Sequence, residues 1–124
     1  MSTLANSNYK FSGDLPLCVE PLADTSVENL CRWLTDSAPD IRAALHSHGA
    51  IRFRGFNVDA PEALERIARA ISPELKNDYL GTSPRDAVTD YVFHASELPG
   101  FYPIPQHCEM SFCAHPPRWL FFSA

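Results

Sequence analysis

The chain has 124 residues, 45% of them hydrophobic and 20% charged, a composition ordinary for one globular domain that excludes disordered and collagen-like classes. Its formal net charge is −5, which argues against nucleic-acid and anionic membrane partners, because phosphate-rich surfaces select basic proteins.

The N-terminal stretch MSTLANSNYKFSGDLPL has neither the basic nor the apolar segment of a signal peptide, and no window reaches the length of a transmembrane helix. The expected compartment is therefore the cytoplasm, where Cys18, Cys31, Cys108 and Cys113 are expected as thiols rather than a disulfide framework. Residues 1–24 read as irregular, with short extended pieces at most. Thr25 stands three before Glu28, a capping-box spacing, and Val27, Leu30, Cys31 and Leu34 follow at helical intervals, so a helix is predicted over 26–36. A second helix is predicted from Pro39 to His48, with Ile41, Ala44, Leu45 and His48 on one face and Gly49 as its stop.

AIRFRGF, residues 50–56, alternates Ile51 and Phe53 against Arg52 and Arg54, the period-two pattern of a half-buried strand. Asp59 and Glu62 then open a third helix with Ala63, Leu64, Ile67, Ala68 and Ile71 on its apolar face, ended by Ser72-Pro73. Beyond it LGTSPRD reads as turns, DYVFHAS as a strand, LPGFYPIP as irregular, and QHCEMSF and RWLFF as strands. Five of the eleven prolines fall between 99 and 117, which argues against helix there. The expected class is α+β, with helices in the first half and about four strands, mostly in the second. RWLFF, two residues before Ala124, would leave an open sheet edge.

The chemistry gathers in PQHCEMSFCAHPPR, which holds His107, Cys108, Glu109, Cys113 and His115. On a strand, residues two apart share a face, so His107 and Glu109 would project together and Cys108 away from them. An imidazole and a carboxylate on one face can supply two ligands of a 2-His-1-carboxylate triad, which holds Fe(II) with open positions. With five histidines and 15 acidic residues, chance alone gives about 0.6 such His-x-acid pairs, so the spacing by itself leaves a solvated polar strand open. A zinc module through His107, Cys108, Cys113 and His115 is a further alternative, although structural zinc sites use two separated ligand pairs.

Three segments in one order, HGAIRFRGF, YLGTSPR and HCEMSFCAHPPRWLFF, resemble the N-terminal half of the TauD/TfdA family of taurine dioxygenase-like Fe(II)/2-oxoglutarate oxygenases, nearest the branch similar to SyrP and clavaminate synthase. The resemblance is strongest over 45–124 and rests on the combination and order of the segments. It implies a double-stranded β-helix, or jelly roll, with flanking helices, and His107 and Glu109 as the first two iron ligands. It further implies Fe(II), 2-oxoglutarate as co-substrate, and hydroxylation or a related oxidation of a small or carrier-bound substrate coupled to formation of succinate.

In that family the distal His ligand and the Arg that pairs with 2-oxoglutarate lie far downstream of the His-x-acid pair. By position, His46, His48, His94, His115 and Arg118 do not replace them. The expectation is thus that residues 1–124 form an incomplete N-terminal part of the oxygenase domain, inactive alone, whose partner is the missing half or a second copy. The competing expectation is a non-catalytic interaction domain that completes its sheet with a partner chain. Among the other residues, Arg54 reads as a strand-end arginine, Ser83 and Arg85 as a solvated turn that the resemblance puts near the site's mouth, Trp119, Phe121 and Phe122 as core, and Cys18 and Cys31 as small buried hydrophobes.

Overall fold

In the computed structural model, residues 4–77, 85–95 and 98–124 are described. The elements run β1 (Tyr9–Ser12), β2 (Leu17–Pro21), α1 (Val27–Asp36), α2 (Ala38–His48), β3 (Ile51–Phe53) and α3 (Pro61–Ile71). The strands form one sheet in the order β1-β2-β3, antiparallel between the first pair and parallel between the second. A parallel neighbour needs a crossover, and α1 with α2 provides it.

The three helices stand where the apolar periodicity puts them. Leu30, Leu34 and Ile41 are fully buried, with Ile67 and Ile71 beside them. The capping differs by one residue from the expected Thr25 box. Ser26 is the N-cap of α1, its Oγ accepting from Asn29 N at 3.2 Å, and its own N–H donates to Asp24 Oδ1 at 2.9 Å. Hydrogen bonds from Ser26 hold the Asp24 carboxyl below its usual range. For α3 the N-cap is Ala60, with no side-chain cap and Pro61 opening the helix. Gly49 ends α2 with φ 74°, a left-handed conformation that glycine adopts at little cost.

Two strands arise in the stretch expected to be irregular. Tyr9 and Val19, from β1 and β2, are buried in the core, and the Tyr9 ring stacks on Trp33 with centroids 4.3 Å apart. Burial pushes the Tyr9 phenol above its ordinary range, with the nearby Asp24 charge adding to the effect. The Cys31 thiol is raised chiefly by burial too, and Glu28 adds to this while Arg66 opposes it.

The expected β-rich second half is absent among the described residues. Residues 90–95 of DYVFHAS belong to a tight loop closed by one isolated bridge, Ala87↔Phe93, Ser96 lies outside the described residues, and QHCEMSF and RWLFF form no strand. The residues have strand-like propensity, but a strand persists only with a hydrogen-bonded neighbour, and prolines at 105, 116 and 117 remove donors beside these segments. The α+β class therefore holds, but the sheet lies in the first half beside the helices. A jelly roll has eight strands, and the described residues contain three.

Phe121 does pack partly buried against the core, whereas Phe122 is 72% exposed and Trp119 half-buried, so only one of the three aromatics expected inside reaches it. Cys18 and Cys31 are half-buried, and all four cysteines are free thiols. No helix among the described residues is long and apolar enough to cross a membrane.

Candidate metal centre

Two anchors on α3 position the segment that leads to the site. Glu65 accepts a hydrogen bond from Thr89 Oγ1 at 3.0 Å, and the Arg69 guanidinium lies 4.1 Å from the centre of the Tyr91 ring, a cation–π contact. Thr89 Oγ1 also accepts from the Tyr91 and Val92 amides. The loop closes through Val88 N to Val92 O at 2.7 Å and His94 N to Asp86 O at 3.1 Å. Arg85 stands at the mouth of this loop, one residue before the Asp86 carbonyl that fastens it.

Glu109 lies on a turn and His107 just before it, which replaces the expected strand geometry. Ser111 N donates to Cys108 O and Cys113 N to Met110 O, with Met110 at φ 53°. The two side chains nonetheless meet: His107 Nε2 is 3.6 Å from Glu109 Oε2. The other imidazole nitrogen, Nδ1, is 2.8 Å from the Pro105 carbonyl oxygen. A carbonyl only accepts, so Nδ1 carries the hydrogen, and in the neutral ring the Nε2 lone pair faces Glu109. Two acceptors turned toward each other at this distance are stabilised by a cation between them. A proton on Nε2 would give only a long contact, beyond ordinary hydrogen-bond range. The carbonyl bond to Nδ1 is also the outer contact that orients a metal-ligating histidine. This donor set therefore fits a divalent ion of intermediate hardness as two of its ligands.

The carboxylate's other oxygen, Oε1, is 3.4 Å from Arg85 Nη2, and the two side chains are only 20% and 17% exposed. The solvated-turn expectation for Arg85 is corrected accordingly: the side chain is half-buried beside Glu109. Ser83 lies outside the described residues. Nothing local in the sequence links Arg85 to Glu109 across 24 positions, so only the fold could reveal the pair. His107, Glu109 and Arg85 line a cleft of about 400 Å³ with Leu98, Ile104 and Phe122. Glu109 and Arg85 also border a larger cavity of about 640 Å³ against α3, which His94, His115 and Trp119 help to line.

The remaining candidates do not join the pair. No three His, Cys, Asp or Glu side chains among the described residues are placed to hold one ion, so the zinc module through His107, Cys108, Cys113 and His115 does not form. Cys108 is exposed and Cys113 half-buried. His48 sits at the far end of α2, its Nδ1 at 2.8 Å from Asp14 O and 3.0 Å from Asp14 Oδ1. Arg54 is exposed at the end of β3, its amide bonded to Val19 O, as a strand-end residue should be.

Comparison with known proteins adds two findings. The model of the taurine catabolism dioxygenase TauD, TfdA family matches residues 14–124. A clavaminate synthase-like protein of Arabidopsis thaliana is 36% identical over 78 residues, a stretch covering 63% of this chain and 24% of the relative. The aligned part of the chain thus spans about a quarter of that relative's length.

Proposed function

The chain belongs to the TauD, TfdA family, and from that premise we propose that it is part of a non-haem Fe(II)- and 2-oxoglutarate-dependent oxygenase in which His107 and Glu109 are two of the protein ligands to iron. The observation that carries the assignment is the facing pair His107 Nε2 and Glu109 Oε2, 3.6 Å apart with Nδ1 committed to Pro105 O.

In this reading His107 binds through Nε2 and the Pro105 carbonyl keeps the ring in that tautomer. Glu109 binds through Oε2, which faces the imidazole. When bound, Fe(II) supplies the redox chemistry that couples decarboxylation of 2-oxoglutarate to oxidation of a small or carrier-bound substrate. Leu98, Ile104 and Phe122 give the cleft an apolar wall, beside which Glu109 is withdrawn from water while His107 remains open to it. The α/β layer of β1–β3 and α1–α3 flanks a double-stranded β-helix.

The distal histidine and the 2-oxoglutarate-binding arginine come from polypeptide packed against exposed apolar side chains such as Phe101, Ile104, Phe112 and Phe122. These side chains are 82%, 55%, 63% and 72% exposed, Ile104 and Phe122 share one cleft, and large apolar side chains left in solvent favour a covering surface. The same observation supports the alternative of an interaction domain that needs no metal.

Anaerobic Fe(II) titration separates the two readings. Glu109→Ala and His107→Ala should each weaken binding at least about tenfold, since even indirect partners of a metal ligand contribute that much. Unchanged affinity in both variants removes the ligand assignment and leaves the interaction domain.

A further inference from the structure

We infer that Arg85 is a positioning residue for the metal: by holding Glu109 Oε1 it presents Oε2 alone toward His107, so that the carboxylate binds through one oxygen. The inference rests on the proposed ligand pair. Three observations carry it. The two oxygens of Glu109 are divided between neighbours, Oε1 toward Arg85 Nη2 at 3.4 Å and Oε2 toward His107 Nε2 at 3.6 Å. Both Arg85 and Glu109 are largely withdrawn from water, with 20% and 17% side-chain exposure, so their contact is less screened than a surface ion pair. Finally, Arg85 stands on a fastened support, because the loop behind it is tied to α3 through Glu65 and Arg69.

Two effects of the guanidinium oppose each other. Its positive charge repels a metal ion, which lowers affinity. Its donor, in a long hydrogen bond of 3.4 Å, restricts the rotation of Glu109 and engages the oxygen that would otherwise swing into a two-oxygen binding mode, which raises affinity and favours one geometry. At 3.4 Å the guanidinium approaches Oε1, the far oxygen from the imidazole, and the orienting effect dominates. Arg85 therefore acts on the metal through Glu109 and makes no contact with it of its own.

Co(II), a spectroscopic stand-in for Fe(II), provides the test when titrated into the chain and followed by visible absorption. Arg85→Met keeps most of the packing volume but loses both charge and donor. It should weaken Co(II) binding about 10- to 100-fold and shift the ligand-field bands as Glu109 turns to bind through both oxygens. Arg85→Lys keeps a cationic donor of similar reach and should restore affinity to within about threefold, with the original bands. Equal or tighter binding by Arg85→Met means that charge repulsion outweighs orientation, and it overturns the inference. So does an Arg85→Lys variant as weak as Arg85→Met, because the residue would then act through packing alone. Glu109→Ala is the control: if it leaves Co(II) affinity unchanged, the ligand pair itself fails. If it weakens binding while Arg85→Met does not, only the role of Arg85 fails.

Discussion

The body formed by residues 9–71 and the segments 85–95 and 98–124 are held by different forces. Every buried residue among those described lies in the first region, from Tyr9 to Ile71. The second contributes one core contact, Phe121, and otherwise depends on polar anchors: Thr89 on Glu65, Arg69 over Tyr91, Arg85 beside Glu109. The candidate site sits in this second region. Its side chains are thus placed by a few directional contacts, His107 on the Pro105 carbonyl and Glu109 on Arg85, while stability resides in the apolar core of the first region.

That contrast predicts unequal responses to substitution. Leu34 has no exposure and lies at the centre of the core. Leu34→Ala should cost about 3 kcal/mol in denaturant unfolding, the usual range for a large-to-small change in a packed interior. A loss under about 1 kcal/mol would show that the core is not the seat of stability.

Alkaline titration tests the same body. The folded-state pKa of Tyr9 is raised above its ordinary 10.0 and that of Cys31 above 9.0. As pH passes 9 and then 10 the unfolded chain releases these protons while the folded chain retains them. Stability is therefore fully present below pH 9 and falls as pH rises, by at most about 1.4 kcal/mol per pH unit for each group. Tyr9→Phe should flatten the decline above pH 10, measured as unfolding free energy against pH, and an unchanged slope would refute the burial of that phenol.

Ser26→Ala should cost about 1 kcal/mol by removing the α1 cap, and Thr25→Ala should cost less than half of that. The reverse order, read from thermal unfolding of the two variants, would restore the capping box that the sequence suggests. The smallest effect belongs to Phe122→Ala, within about 0.5 kcal/mol because the ring is mostly in solvent. A loss of several kcal/mol would mean that residues 98–124 are packed as firmly as the body, and would erase the contrast.

The sequence by itself determined the three helices, since their apolar periodicity and Gly49 are local signals that do not depend on distant residues, whereas the cap expected at Asp59 gave way to Ala60. It also marked β3, through the alternation of IRFRGF. The same alternation was present in β2, where Leu17 and Val19 point inward around Cys18, but Gly13, Pro16 and Pro21 surround it with turn signals that mask the run. It singled out His107 and Glu109 as a pair, although by way of a strand that does not form. What brings the pair together is a turn, with Nδ1 bound to Pro105 and Met110 left-handed.

Only the tertiary structure decided the rest. Whether an apolar run becomes a strand depends on a neighbour to pair with, and for QHCEMSF and RWLFF the described residues offer none. Whether Arg85 is solvated or set against Glu109 depends on a loop fastened to α3 many residues earlier. Pairing and polar anchoring are relations between distant segments, and no local pattern of residues encodes them.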